Sequence, residues 1–257
     1  MSLDSIRLVQ FTDTHLCADP LGRVRGVATL PSLQACLEHA KQRCFPADLL
    51  AVTGDLVQDE PEGYGVLELL FDRLAAPVLL IPGNHDQPDE MRRRFVQPPF
   101  QVGGTVELGG WAVVLLSTWY SRSDDGEGRL GSGQLRELEQ ALARHASQHV
   151  LVCLHHPPVL MDSAGLDALG LLDAQQFLAV IDRHPAVRGI AWGHAHQSLD
   201  LYRGALRLMC TPATCMQFAP RQPGFIVDDR PPGYRIIDLH ADGGIASEVV
   251  WLEGYQQ

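Results

Sequence analysis

Five short segments rich in Asp, Asn and His recur along the chain, and each follows an apolar run. They are Asp13-Thr14-His15, Gly54-Asp55, Gly83-Asn84-His85-Asp86, His155-His156 and Gly193-His194-Ala195-His196. An α/β fold places its functional site at the carboxyl ends of the parallel strands, so side chains that follow different strands can meet there. Five such segments in this order predict a centre that holds two metal ions and cleaves a phosphate ester.

The apolar runs predict buried strands. Residues 6–11, 49–53, 78–81, 113–117 and 150–154 form continuous apolar stretches, which are typical of strands covered on both faces. Helical spacing predicts helices between some of them, at about 33–44, after Ser132 and from Asp173 to His184. Ser132 is the expected N-cap of the second helix, and Asp173 with Gln176 is the expected capping box of the third.

The pattern changes after His196. Short strands at 206–210, 234–239 and 245–251 are joined by turns rich in Gly and Pro, without a helical pattern between them. We therefore expect an antiparallel sheet over about 200–257 that closes one domain spanning residues 1–257. The stretches 121–133 and 219–233 read as long loops, which are often functional.

Composition excludes several classes of protein. A hydrophobic content of 46% supports a large core, and no apolar run reaches the roughly 18 residues of a membrane-spanning helix. The N-terminal residues lack the basic and apolar regions of a secretory signal, so a cytoplasmic location is expected. The six cysteines lack zinc-ribbon or redox spacing and are expected to be free thiols. A net charge of −11 disfavours a nucleic-acid polymer as partner, whereas bound metal ions would still attract a small anion.

The candidate ligands have distinct expected roles. Asp13 and His15 are spaced to point to one side, and carboxylate with imidazole suits Mn, Fe or Zn better than Ca or Mg. Asp55 has two oxygens and is the expected bridge between ions about 3.5–4 Å apart. Asn84 offers a carbonyl oxygen to a metal and its amide to a phosphate oxygen. His85 should face the substrate, with Asp86 orienting its imidazole through a hydrogen bond.

Three further histidines complete the predicted metal ligands. His155 follows a strand and is assigned to a metal, whereas His156 should point the other way in an extended segment. His194 and His196 are two residues apart, and we expect each to bind a different ion.

These segments resemble those of the calcineurin-like metallophosphoesterase superfamily. The stretches 6–16, 155–158, 211–218, 232–235 and 239–243 are also similar to the bacterial class III cyclic nucleotide phosphodiesterases, so the resemblance covers nearly the whole chain. It implies a four-layer α/β/β/α sandwich with two mixed sheets, and hydrolysis of 3′,5′-cyclic AMP to 5′-AMP. A hydroxide that bridges the metals would attack phosphorus, and His85 would protonate the departing 3′-oxygen. Members of this family are often homodimers.

The resemblance also implies how the ligands are divided. One ion, often iron, would be held by Asp13, His15, Asp55 and His196. The other, often manganese but also zinc, cobalt or another divalent ion, would be held by Asp55, Asn84, His155 and His194. The phosphate would lie among His15, Asp55, Asn84, His85 and His196.

Some positions depart from the family pattern and leave alternatives open. Ala213 stands where relatives often have Ser, the stretch 160–173 lacks their Trp and Asn, and the loop 119–133 is particular to this chain. The substrate could instead be a 2′,3′-cyclic nucleotide, a nucleoside diphosphate derivative or a phosphomonoester. A non-catalytic scaffold of the same fold is disfavoured because every ligand and His85 are present.

Overall fold

The computed structural model of the protein describes residues 5–121, 123 and 126–255. Within this part, the strands are β1 (Ser5–Phe11), β2 (Arg23–Val24), β3 (Val27–Ala28), β4 (Leu49–Thr53), β5 (Val78–Ile81), β6 (Phe100–Val102), β7 (Gly104–Leu108), β8 (Trp111–Leu115), β9 (His149–Cys153), β10 (Val187–Trp192), β11 (Leu199–Arg203), β12 (Leu206–Cys210), β13 (Gln217–Phe218), β14 (Val227–Asp228), β15 (Gly233–His240) and β16 (Ile245–Trp251). The helices are α1 (Thr29–Cys44), α2 (Gly63–Phe71), α3 (Pro88–Arg94), α4 (Gly131–Arg144), α5 (Ala164–Ala168) and α6 (Ala174–Ile181), with a 3₁₀ turn at Asp72–Leu74.

The long strands form two six-stranded mixed sheets. The first has the order β16-β15-β1-β4-β5-β6, in which β1, β4, β5 and β6 are parallel and β15 and β16 are antiparallel. The second has the order β11-β12-β10-β9-β8-β7, with a parallel centre and an antiparallel strand at each edge. Two small hairpins, β2–β3 and β13–β14, lie outside both sheets. The predicted mixed α/β fold is confirmed.

Three apolar clusters separate four layers. The central cluster joins the facing sides of the two sheets and includes Leu8, Leu79, Leu151 and Met209. A second lies between the first sheet and helices α1 and α2, and a third lies between the second sheet and helices α4 and α6. Each central strand is therefore covered on both faces, which explains its continuous apolar sequence. The order of layers is α/β/β/α, as expected from the family resemblance.

The predicted caps of two helices are wrong. Helix α4 begins at Gly131 with Leu130 in the N-cap position, so Ser132 already lies inside it. Asp173 precedes α6 but makes no cap hydrogen bond there, and α6 ends at Ile181 rather than His184. The Asp173 carboxylate instead accepts hydrogen bonds from the backbone N–H groups of Leu130 (3.0 Å) and Gly131 (2.7 Å). A tertiary contact has replaced the local cap that the sequence pattern predicts.

The predicted single closing sheet near the C-terminus is also wrong. Its strands divide into two hairpins: β11–β12 extends the second sheet beside β10, and β15–β16 extends the first sheet beside β1. Each parallel core would otherwise end in a strand with unpaired backbone groups, and each hairpin covers one such edge. Strand β12 runs parallel to β10, whereas the sequence pattern predicted only antiparallel strands in this region.

Arg235 joins these two hairpins. It lies on β15 in the first sheet and is fully buried, yet it donates hydrogen bonds to the carbonyl oxygens of Leu199 (3.1 Å) and Cys210 (2.7 Å) in the second. Its guanidinium also contacts Asp200 at 3.2 Å and Ser247 at 2.8 Å. Burial lowers the pKa of this guanidinium, and the charge of Asp200 opposes that effect.

Other expectations concern the membrane, the thiols and the loops. No helix in the described part of the chain is long and apolar enough to cross a membrane. All six cysteines are free thiols, five of them buried, as predicted. Positions 122, 124 and 125 of the predicted loop 121–133 lie outside the described residues.

Candidate metal centre

All seven predicted ligands converge at one place, at the carboxyl ends of strands from both sheets. Strands β1, β4 and β5 of the first sheet lead to Asp13 with His15, to Asp55 and to Asn84. Strands β9 and β10 of the second sheet lead to His155 and to His194 with His196. The candidate centre therefore lies across the junction of the two sheets.

Five of the seven candidate ligands have left-handed backbone conformations. The φ angles are 53° at Asp13, 44° at His15, 50° at Asp55, 64° at His194 and 48° at His196. Such angles are unfavourable for residues with a side chain, by about 1–2 kcal/mol each, and they concentrate at functional sites. Asp13 and His15 face the same place because of these left-handed conformations. The sequence pattern had predicted an extended segment, in which alternate side chains point to one side.

Glycines at the strand ends allow the ligand loops to pack closely. A Cβ atom added to Gly83 would lie 2.2 Å from Oδ1 of Asp55, and one added to Gly193 would lie 1.9 Å from Oγ1 of Thr12. At Gly54, whose φ is +99°, the added atom would lie 2.2 Å from Nδ1 of His155. These positions exclude any side chain, because each glycine touches a residue that holds another part of the centre.

The ligand atoms form two overlapping sets. In the first, Nε2 of His196 lies 3.3 Å from Oδ1 of Asp13 and 3.2 Å from Nε2 of His15. In the second, Nδ1 of His194 lies 3.0 Å from Oδ1 of Asn84 and 3.3 Å from Nε2 of His155. The sets share Oδ2 of Asp55, which is 3.6 Å from Nε2 of His15 and 3.3 Å from Nε2 of His155.

Hydrogen bonds at the outer nitrogens orient three of the imidazoles. The Nδ1 atoms of His15, His155 and His196 each face an oxygen, which is respectively Gln58 Oε1 (2.8 Å), Thr53 O (2.7 Å) and Met216 O (2.8 Å). A proton on each Nδ1 leaves the lone pair of Nε2 directed into the centre. The Nε2 atoms of His15 and His196 then face each other as two acceptors at 3.2 Å, which is unfavourable unless a proton or a metal ion lies between them. The residues present therefore fit a metal ion.

Backbone N–H groups and one hydroxyl donate hydrogen bonds to the two carboxylates. Asp13 accepts hydrogen bonds from N–H of His194 at 3.0–3.1 Å and from the hydroxyl of Thr12 at 2.7 Å. Oδ1 of Asp55 accepts one from N–H of His85 at 2.9 Å, which leaves Oδ2 for the centre. Burial raises the pKa of Asp13, but His196 and His155 outweigh it and bring the pKa to about 2. Burial is likewise outweighed by His155 at Asp55, whose pKa lies well below its usual value.

The imidazole pKa values divide into two kinds. Burial lowers the pKa of His15 to about 4, and burial with the neighbouring histidines lowers that of His194. Burial is outweighed at His155, where Asp55 raises the pKa to about 9, and at His196, where Asp13 raises it well above its usual value. The buried negative charge thus attracts positive charge to the centre, and metal ions would supply it.

His85 has a different partner from the one predicted. Its Nδ1 faces the carboxylate of Asp59 at 3.0 and 3.1 Å, which directs Nε2 the opposite way. Gln58 extends the network, because its Nε2 donates to Asp59 at 3.0 Å and its Oε1 accepts from His15. Asp59 was not among the residues predicted from the sequence, although it lies only four residues after Asp55. Its φ angle is 60°, so it shares the left-handed conformation of Asp55.

Asp86 does not orient His85, so the predicted hydrogen bond between them is wrong. Its buried carboxylate accepts hydrogen bonds from N–H of Leu56 (3.1 Å) and Gly83 (2.9 Å), and from the hydroxyl of Tyr64 (3.0 Å). Burial, together with the charge of Asp55, raises the pKa of Asp86 to about 7. Asp86 therefore holds the loops of Asp55 and Asn84 together from behind.

His156 is buried beside the centre, with both ring nitrogens engaged elsewhere. Nδ1 lies 2.6 Å from Oγ1 of Thr118, and Nε2 lies 2.9 Å from the carbonyl oxygen of Gly126. Its ring packs 4.5 Å from that of His194, and burial with the charge of His155 lowers its pKa to about 3. These contacts make His156 a neutral support for His194 and not a ligand.

A cavity of about 510 Å³ opens over the ligands, which is large enough for a small molecule. Asp55, Asn84, His85, His194 and His196 form its floor. Its walls contain aromatic and apolar side chains, which include Trp119, Tyr120, Met216, Phe218 and Phe225.

Comparison with solved structures agrees with this fold. A dimetal phosphatase from Danio rerio superposes with a TM-score of 0.67 over 96% of this chain and 98% of that one, at 11% identity. The protein TT1561 of Thermus thermophilus gives a TM-score of 0.60 over 95% and 98% of the two chains, at 14% identity. At these identities the likeness concerns the fold alone.

Sequence comparison identifies much nearer relatives. The 3′,5′-cyclic adenosine monophosphate phosphodiesterase CpdA of Vibrio vulnificus is 37% identical over 97% of this chain and 91% of its own length. The protein of the same name from Escherichia coli K12 is 36% identical over 95% of this chain and 89% of its own length. The family model for calcineurin-like phosphoesterases matches residues 6–198, which contain all seven candidate ligands. The chain therefore belongs to the calcineurin-like phosphoesterase family.

Proposed function

We propose that this protein hydrolyses 3′,5′-cyclic AMP to 5′-AMP at a centre of two metal ions. The relatives from V. vulnificus and E. coli, whose names state a cyclic AMP phosphodiesterase, align over nearly the whole chain. The matched length therefore extends well beyond the candidate ligand segments. The small cavity and the acidic chain also favour a small substrate over a nucleic-acid polymer.

The observation that carries the proposal is the position of Oδ2 of Asp55 between two sets of ligand atoms. One set comprises Asp13, His15 and His196, and the other comprises Asn84, His155 and His194. An oxygen shared by both sets suits a carboxylate that bridges two cations. When bound, two divalent ions supply an activated hydroxide and neutralise the charge that develops on the phosphoryl oxygens. Nitrogen and oxygen ligands of this kind suit Fe, Mn, Zn or Co.

The residues beside the ligands would bind and orient the phosphate. Asn84 directs Oδ1 toward His194, so its Nδ2 is the donor that remains for a phosphoryl oxygen. His15 and His196 border the same end of the cavity, and the phosphate would lie among these side chains and His85. Cleavage of the bond between phosphorus and the 3′-oxygen leaves the phosphate on the 5′-oxygen, which gives 5′-AMP.

His85 is the proposed general acid for the departing 3′-oxygen. Its ring lies at the edge of the cavity, with its centroid 5.2 Å from that of His15, and its Nδ1 is held by Asp59. In the imidazolium, Nδ1–H donates to Asp59 and Nε2 carries the proton that the leaving oxygen takes up. Asp59 stabilises the charged imidazole and fixes its orientation, which are the usual functions of a carboxylate partner.

The test is hydrolysis of 3′,5′-cyclic AMP by Mn-loaded and chelator-treated protein, with the product identified by chromatography. We expect 5′-AMP from the Mn-loaded protein and at most a trace from the chelated one. Formation of 3′-AMP would contradict the proposed scission. If cyclic AMP gives no product but bis(p-nitrophenyl) phosphate is cleaved in a metal-dependent way, the two-metal centre would still be supported. The substrate would then be another class of phosphate ester.

A further inference from the structure

The outer part of the cavity contains an ordered stack of flat side chains. The ring of Phe218 lies parallel to that of His196, with centroids 4.7 Å apart and planes inclined by 29°. The guanidinium carbon of Arg25 lies over Phe218, 5.3 Å from its centroid, and 5.9 Å from the centroid of Phe225. Phe225 contacts Phe218 edge to face at 5.4 Å. The stack leads outward from a candidate metal ligand to an exposed cation.

The backbone at Arg25 is unusual for its residue type. Arg25 and Gly26 form the turn between β2 and β3, with φ angles of 48° and 90°. Positive angles at both positions suit a tight hairpin turn, in which the first residue is commonly Asn, Asp or Gly. An arginine in this conformation is strained, and such outliers are retained where they have a function.

The surroundings of Arg25 do not explain it as a structural ion pair. Among the described residues, no carboxylate oxygen lies within 4.0 Å of its guanidinium, whose contacts there are the two aromatic rings. The lining of the same cavity includes the apolar side chains of Val24, Met216 and Leu169. A flat heterocycle could stack on the guanidinium and also contact the apolar side chains.

We infer that Arg25, supported by Phe218 and Phe225, forms the subsite for the nucleobase of the substrate. This inference rests on the proposed function. With the phosphate at the candidate ligands, the stack of His196 and Phe218 places Arg25 two layers away in the same cavity. The base lies against the exposed face of the guanidinium, and Phe225 limits its position. A purine offers more stacking area than a pyrimidine, so the subsite favours purines.

Two substitutions separate stacking from charge. Arg25→Asn removes the guanidinium and suits the hairpin turn, because Asn readily adopts a positive φ. Arg25→Lys keeps the positive charge but lacks a planar group that can stack. Arg230→Asn is the matched control, because Arg230 also lies over an aromatic ring, that of Trp251 at 5.8 Å, but does not line the cavity.

The measurement is competitive inhibition by 5′-AMP and by ribose 5-phosphate, which has the same sugar and phosphate but no base. Both inhibition constants are obtained from the rate at which metal-loaded protein cleaves bis(p-nitrophenyl) phosphate. For Arg25→Asn we expect the constant for 5′-AMP to rise about ten- to a hundredfold and that for ribose 5-phosphate to change less than about twofold. Arg25→Lys should resemble Arg25→Asn, and Arg230→Asn should resemble the unmodified protein.

Kinetics with 3′,5′-cyclic AMP give a second measurement. Arg25→Asn should raise KM about ten- to a hundredfold and change kcat less than about threefold, because the base is remote from the reacting atoms. Full recovery by Arg25→Lys would overturn the inference in favour of charge recognition, and unchanged inhibition by 5′-AMP in Arg25→Asn would also overturn it. If the unmodified protein does not cleave cyclic AMP, the proposed function fails, while the inhibition constants still test the subsite.

Discussion

The Oδ2 atom of Asp55 lies 3.3 Å from Nε2 of His155, although the two residues follow strands of different sheets. The same oxygen is 3.6 Å from Nε2 of His15, which belongs to the other set of ligands. The central apolar layer between the sheets therefore determines the geometry of the centre, because it fixes the separation of β4 and β9. Both ligand sets can form only after the two sheets have packed together.

Replacement of Asp55, the proposed bridging carboxylate, should remove metal from both proposed sites. We expect Asp55→Ala to bind metal more than about 100-fold more weakly, since even changes outside the ligand shell commonly cost 10- to 100-fold. Elemental analysis after gel filtration would measure the metal content. Asp89→Ala, which alters an exposed ion pair with Arg92, is the control. Retention of two ions per chain by Asp55→Ala would show that Asp55 is not the bridge.

Replacement of His85 should reduce turnover and leave the metals bound. His85→Ala is expected to lower kcat for cyclic AMP by about 10²–10⁴-fold, the usual contribution of a general acid. Asp59→Asn should lower it by a smaller factor, about 10- to 100-fold, because the imidazole remains but loses its partner. Metal content measured alongside kcat separates this result from loss of the centre. Equal activity of His85→Ala and the unmodified protein would exclude the assigned role.

Removal of the Tyr64 hydroxyl should destabilise the loops that carry Asp55 and Asn84. This buried hydroxyl donates to Asp86 at 3.0 Å and accepts from N–H of Gln87 at 2.8 Å. Because Tyr64→Phe takes a donor from the buried carboxylate of Asp86, we expect a loss of about 2 kcal/mol in the free energy of unfolding. That corresponds to roughly 4–8 °C in Tm by calorimetry. Tyr202→Phe, at an exposed position, should leave Tm unchanged, and an equal Tm for the two variants would contradict the prediction.

Loss of the Arg235 guanidinium should weaken the connection between the two C-terminal hairpins. Arg235→Met keeps much of the buried volume but deprives the carbonyl oxygens of Leu199 and Cys210 of a donor. We expect the free energy of unfolding in urea to fall by about 3 kcal/mol. The comparison is Arg183→Met, whose exposed ion pair with Glu139 should contribute less than about 1 kcal/mol. A similar change in both variants would show that the buried contacts of Arg235 add nothing.

The convergence of the candidate ligands could be predicted from the sequence because each one lies within four residues of the end of a buried strand. The pattern places Asp55 after β4 and His155 after β9, and no knowledge of sheet order is needed to expect them at strand ends. The continuous apolar strands were predictable for the same local reason. Their bounds agree for β4 and β5, and β8 and β9 lie two residues and one residue earlier than predicted.

Other features depend on contacts between distant segments and could not be predicted. Asp86 is adjacent to His85 in the chain, but Leu56 and Tyr64 surround its carboxylate, and Asp59 takes the expected place beside His85. Asp173 similarly holds the start of α4 instead of capping α6. In each case a short polar side chain has several partners available, and the tertiary packing selects among them. The contact of Arg25 with Phe218 has the same origin.

At the five candidate ligands with a left-handed backbone conformation, the residue that favours stability differs from the residue that favours metal binding. Glycine at Asp13, His15, Asp55, His194 or His196 would relieve the backbone strain of a φ between 44° and 64°, but it would also delete a ligand. Selection of variants for heat resistance in a chelating medium would therefore admit changes at these sites that abolish the centre. Under selection for activity in the presence of metal, these five residues should not change. Substitutions at the five positions would therefore show whether a population had been selected with or without metal.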